Sequence, residues 1–173
     1  MKKISVLVLA IVAAIIMTGC GTKSAFIQPP GAPPINSSDG FKVGNVEDLS
    51  GFQFKPDDND AFSLKEAMSA ALDSALAKQG LTGAGPYSVN VNILFYAPGN
   101  AFVRWLLPGA GSTLLSVEAF IVDEQSVQVA KIPVERHISA GGGFTIGAYK
   151  YIFKDVAEEI SSVIKKSTKA KAE

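Results

Sequence analysis

The sequence predicts an α+β domain, a two-layer sandwich in which a mostly antiparallel sheet of about four strands packs on two helices. Three observations predict it. Residues 64–76 and 149–164 each carry apolar side chains at helical spacing along one stripe. Three segments between them have the composition and spacing of strands with a consistently apolar face. Glycine-rich or polar turns separate these elements. The expected order is strand, helix, three strands, helix, over residues 41–166.

The first strand, 41–46, carries a weak signal, and a polar loop follows it through Pro56-Asp57-Asp58-Asn59-Asp60. The first helix is strongly marked. Ser63 and Glu66 form a capping box, and Leu64, Met68, Leu72, Ala75 and Leu76 repeat on one face. Gly80 stands just beyond the helix end, with Leu81 placed to fold back on Leu76 in a Schellman arrangement. In 87–95, Tyr87, Val89, Val91, Ile93 and Phe95 face one way, and Ser88, Asn90 and Asn92 the other. Strands at 112–122 and 127–138 are joined around Asp123-Glu124-Gln125-Ser126. Pairing Asp123 with Ser126 sets Leu115 against Val134, Val117 against Ile132 and Glu118 against Lys131, which satisfies the cross-strand rules without a bulge. Pro133 lacks a ladder donor and argues that its strand lies at an edge. The last helix follows Ala140-Gly141-Gly142-Gly143.

Ahead of the domain the chain reads as an export signal. Lys2 and Lys3 form a positive end, and about 14 apolar residues follow, too few for the roughly 20 that span a bilayer. Met17-Thr18-Gly19-Cys20 resembles the lipobox of bacterial lipoproteins. Cys20 is the only cysteine, so an internal disulfide is excluded. The resemblance implies cleavage after residue 19, diacylglycerol on the Cys20 sulfur and an acyl group on the new amino terminus. Two or three chains hold a protein at a membrane essentially permanently. Gly21 stands where an aspartate would imply inner-membrane retention. The resemblance therefore implies an outer-membrane anchor, with the domain facing the periplasm. Residues 20–40 are rich in Pro, Gly and Ser, and read as a tether that holds the domain up to roughly 60 Å from the lipid. Residues 167–173 read as a charged tail.

Composition excludes several functions. Processing leaves about 154 residues, one domain's length, with a net charge of about −2 and no basic face, which argues against nucleic-acid binding. His137 is the sole histidine, so no histidine cluster exists for a metal, and a serine triad would have to use it. The expected register puts it near Ser112 and Glu135. No nucleophile-elbow sequence surrounds Ser112, and His137 reads as a surface histidine. Pro108-Gly109-Ala110-Gly111-Ser112 and Gly141-Gly142-Gly143 fit no P-loop pattern, and Asp57-Asp58-Asn59-Asp60 lacks the spacing of a calcium loop. No catalytic residue, metal or cofactor is expected.

The more informative segment is Arg104-Trp105-Leu106-Leu107, an apolar loop with the only tryptophan and one of two arginines. Those two residue types are enriched at binding hot spots, although a loop folding back as a lid on the core is an equal reading. The register above also sets Phe120, Val122, Val127 and Val129 on the outer face, a patch that needs a cover. Arg104, Trp105, Phe120, Val122, Val127 and Val129 are therefore the candidate partner-binding residues.

The stretch Asn100-Ala-Phe-Val-Arg104-Trp105-Leu-Leu-Pro108-Gly109-Ala-Gly111-Ser112, then Val117-Glu-Ala-Phe-Ile-Val-Asp123 and the glycine-rich turn, resembles an uncharacterised envelope-lipoprotein family, domain of unknown function forty-four-ten, over roughly 40–166. No activity comes with that resemblance. The expectation is a non-enzymatic, membrane-anchored accessory or scaffold protein that binds another envelope protein. A lipid- or small-molecule-binding periplasmic module is the alternative.

Overall fold

The structure, a computed structural model, describes residues 20–55, 61–107, 110–139 and 147–169. The proposed leader, the acidic run 57–60 and the glycine turn 141–143 lie outside them. The described elements run β1 (Cys20–Ser24), β2 (Phe41–Asp48), α1 (Leu64–Lys78), β3 (Tyr87–Ala97), α2 (Ala101–Leu106), β4 (Thr113–Val122), β5 (Gln128–Ile138) and α3 (Ala148–Lys169). The α+β class is as expected. The sheet, however, has five strands, in the order β1-β5-β4-β3-β2, and it is mixed. β2 and β3 are parallel, because the 15-residue helix α1 crosses between them, whereas the other pairs are antiparallel.

α1 forms as its sequence dictates. Ser63 Oγ accepts from the Glu66 amide at 3.2 Å, and the helix ends in a Schellman motif. There Leu81 N–H donates to Leu76 at 3.0 Å, Gly80 N–H donates to Ala77 at 3.0 Å, and Gly80 takes φ +67°. α1 and α3 cover one sheet face. Their stripes, Leu64, Met68, Leu72 and Leu76 on one and Ile152, Phe153, Val156 and Ile160 on the other, are buried against Val89, Val91, Ile93, Leu115, Val117 and Ile132. Rings close the core at one end: Phe52 packs edge-on to Tyr96 at 4.9 Å, and Phe62 edge-on to Phe153 at 5.8 Å.

Four expectations are corrected. The stretch expected as a tether is folded into the domain: Cys20–Ser24 pairs with β5, Ile27 bridges to Lys131, and Ile35 is buried. β5 is consequently interior, and Pro133 does not mark an edge. Lys131 exchanges both backbone bonds with Ile27, so the backbone at 133 faces the same side. Its missing donor falls in the gap between the Ser24 pair and the Ile27 bridge.

The β4–β5 register is displaced by two residues. Val117 opposes Val134 and Ala119 opposes Ile132, with a bulge near the tip. Ser126 N–H closes a turn onto Asp123 at 3.0 Å, Ser126 takes φ +62°, and Asp123 N–H then donates to Val127. That is a tight turn plus one left-handed residue, the standard three-residue hairpin. Asp123 Oδ1 fixes it by accepting from the Gln125 and Val127 amides at 3.0 and 2.8 Å. A shift of two keeps every side chain on its face, and Glu118 still reaches Lys131 at 2.6 Å. In β3 a bulge between Ile93 and Phe95 turns Phe95 outward and Tyr96 inward, where its hydroxyl donates to the Tyr149 carbonyl at 2.8 Å.

Candidate functional site

Among the described residues two apolar surfaces remain uncovered, one at the Thr113 end of β4 and one along the outer face of the sheet. The first is the short helix α2 between β3 and β4. Asn100 Oδ1 caps it, accepting from the Val103 amide at 3.0 Å. Its neck is tightly made: Asn100 N–H donates to Gly111 at 2.8 Å, and Thr113 Oγ1 donates to Pro98 at 2.7 Å. Gly99 and Gly111 have φ of +67° and +63°. A Cβ on Gly111 would meet the Asn100 carbonyl oxygen at 2.7 Å, so only glycine fits there. From this neck Phe102 (67 % exposed), Trp105 (65 %), Leu106 and Leu107 (58 % each) stand in solvent. The rings of Phe102 and Trp105 lie 6.1 Å apart. The expected loop is thus a helical turn, and Trp105 is not a lid on the core. The side chain of Arg104 is outside what the structure describes.

The second surface is the sheet face turned away from the helices. Phe120 and Val122 lie on it part-exposed, Lys131 stands 5.7 Å from the Phe120 ring, and Val127 is 56 % exposed beyond the strand ends. Val129 does not belong here. It is 1 % exposed, a core residue, because the bulge opposite Ile121 turns both Val129 and Ala130 inward. Two residues missed from the sequence join this face instead: Leu94 and Phe95 (49 % exposed), displaced by the β3 bulge. A groove of about 310 Å³ crosses it, walled by Leu94 and Pro133, with Lys23, Glu118 and Glu135 at its rim. His137 is part-exposed on the same face, opposite Leu114 and not Ser112 as expected.

The candidate residues therefore do not form one site. From Thr113, beside α2, to Val122 at the hairpin, β4 extends about 30 Å. Trp105 lies beyond one end and Val127 at the other. Phe102 was missed, and Leu106 and Leu107 were read only as part of a loop, although Asn100 as a cap and the i, i+3, i+4 spacing of 102, 105 and 106 were signals for a helical turn. Cys20 is at the α2 end. It pairs with Ile138, and Ile138 pairs with Thr113, so the three stand in one row across β1, β5 and β4.

Charged side chains serve to dock β1 and the helices. Arg136 donates through Nε and Nη2 to Asp155 Oδ2 at 3.1 and 2.8 Å, and through Nη1 to Thr22 Oγ1 at 2.8 Å. Lys78 donates to Glu158 at 2.8 Å, a hydrogen bond that, with the lysine's charge, holds that carboxyl below its usual range. Burial pushes the Tyr87 hydroxyl up. Among the described residues no three His, Cys, Asp or Glu side chains gather as a metal site, and no helix is long and apolar enough to cross a membrane.

Fold and surfaces together define a helix-backed sheet domain with one face open and an apolar helical turn at one end. The chain belongs to the family described as Domain of unknown function (DUF4410), whose model matches residues 37–142 and so stops before α3. No curated protein matches it. Among solved structures it is similar to the PelC dodecamer from Paraburkholderia phytofirmans, with a TM-score of 0.58 and 10 % identity over 84 % of this chain and 98 % of that one. A point variant of that PelC gives 0.55 at the same identity and coverage. Protein XCC0632 from Xanthomonas campestris, of the DUF330 family, gives 0.49, with 11 % identity over 83 % and 93 %. At these identities the PelC likeness is one of fold.

Proposed function

We propose that this protein is a lipid-anchored, non-enzymatic accessory protein of the bacterial envelope. In this reading Cys20 carries the lipid at the periplasmic side of the outer membrane, and the open sheet face binds another envelope protein. The observation that carries the reading is that face. Leu94 and Phe95 are exposed on its α2 half, and Val127 is exposed beyond part-exposed Phe120 and Val122 on its hairpin half, so apolar side chains stand at both ends of this face. Lys23, Glu118, Lys131 and Glu135 stand among them on the same face and would supply the polar contacts of a protein interface. The alternative, a small-molecule or lipid-binding module, is less well supported, because the space between sheet and helices is filled by buried side chains. The dodecameric state of PelC motivates a second reading of the partner as further copies of this chain.

A photoreactive residue at Phe95 or Phe120, in intact cells, tests the face. Crosslinks to one different envelope protein support the proposal, crosslinks to the chain itself favour self-assembly, and no crosslinks from either position overturn the binding face. Intact-mass analysis of membrane-extracted protein beside a Cys20→Ala variant tests the anchor. A chain beginning at Cys20 with added acyl groups, absent from the variant, is expected; a full-length unacylated mass overturns it.

A further inference from the structure

We propose that α2 is a membrane-inserting wedge, a lipid-binding element separate from the sheet-face site. The proposal rests on Cys20 being the lipid-bearing end, and uses a juxtaposition that the sequence did not reveal. Cys20, Ile138 and Thr113 stand side by side on three adjacent strands, which places the base of α2 about 10 Å from the Cys20 backbone. No slack separates the two, because Cys20–Ser24 is hydrogen-bonded into the sheet. Acyl chains entering a bilayer from Cys20 therefore bring the α2 end of the domain down to the headgroups. An interfacial element sits about 5–10 Å deep there.

The chemistry of α2 suits that depth. Four consecutive-turn side chains, Phe102, Trp105, Leu106 and Leu107, are each more than half exposed, at the end of the sheet where Cys20 also stands. Tryptophan, with an apolar ring and one N–H donor, belongs at the boundary between headgroups and acyl chains. The neck made by Asn100, Gly111, Thr113 and Pro98 fixes the turn, so insertion pays little ordering cost. A protein occupant at this end would have to reach between the domain and the membrane that holds it, which favours lipid as the occupant of α2.

Trp105 is the sole tryptophan, so the unaltered protein reports on the wedge. Membrane-extracted full chain is reconstituted in phosphatidylethanolamine–phosphatidylglycerol vesicles, with and without phosphatidylcholine brominated on its acyl chains. The expected result is a blue-shifted emission that loses most of its intensity to the bromolipid and resists aqueous iodide. Vesicle-bound protein quenched by iodide and not by bromolipid overturns the wedge while leaving the anchor intact. Intact mass on the same sample separates the two ideas. Trp105 in lipid on an unacylated chain upholds the wedge and overturns the anchor, and an unacylated chain that does not bind vesicles overturns both.

Discussion

Val127 and Val129 are two residues apart and read alike in the sequence, yet one is exposed and the other is in the core. The left-handed Ser126 and the following bulge separate them. Val127→Lys is expected to change stability by no more than about 0.5 kcal/mol, whereas Val129→Glu, which buries a charge, costs about 3 kcal/mol or more. Urea unfolding midpoints measure both, and equal effects would put the two side chains in one environment. Ser126 holds φ +62° without the freedom of glycine. Ser126→Gly is expected to raise stability by up to about 1 kcal/mol in a thermal melt, since the relief of left-handed strain exceeds the entropy that glycine adds. Bulges explain why the residue-level reading failed where it did. Alternation predicted the inward set from Tyr87 to Ile93 correctly, but periodicity has no means of announcing an inserted residue, so Phe95 and Val129 were each given to the wrong face.

Helices with local signals were legible, and elements made by tertiary pairing were not. α1 has its own cap, stripe and Schellman end, and α3 its own stripe, so both were predicted from the chain alone. β1 is Cys-Gly-Thr-Lys-Ser, with little strand preference; it forms because β5 offers an open edge, and Arg136 grips Thr22. The parallel β2–β3 pair was written in the order strand, helix, strand, which is the pattern of a crossover. Between the two helices, Lys78 and Glu158 make a mostly exposed pair. Because the folded-state pKa of Glu158 is depressed, the pair's stabilisation is present above the ordinary carboxylate value and fades as pH falls through the depressed one. Lys78→Ala is expected to cost under about 1 kcal/mol at neutral pH, after allowance for solvent screening, and the gap to the unaltered protein should close in acid. Denaturant titrations in the two conditions check this, and a gap that widens in acid contradicts it.

At the scale of the whole molecule, backbone pairing among the described elements is densest in the middle of the sheet. β4 is paired on both sides from Leu114 to Val122 and faces the helices, whereas α2 projects from a neck and β1 is five residues long at an edge. Amide hydrogen exchange is expected to be slowest in β4 and the centre of β3, and fastest in α2. Comparable protection of α2 and β4 would mean that the turn is held by more than its neck. The place of Cys20 at the end of β1 has a mechanical meaning as well. On the proposed anchoring, a membrane attached there would pull along the strand axis, and a load between bilayer and partner would be shared as shear by all five β1–β5 pairs at once. A pull across the sheet would instead break them singly, beginning with Cys20 and Ile138. The short edge strand is thus oriented to bear tension along the one direction in which its lipid would apply it.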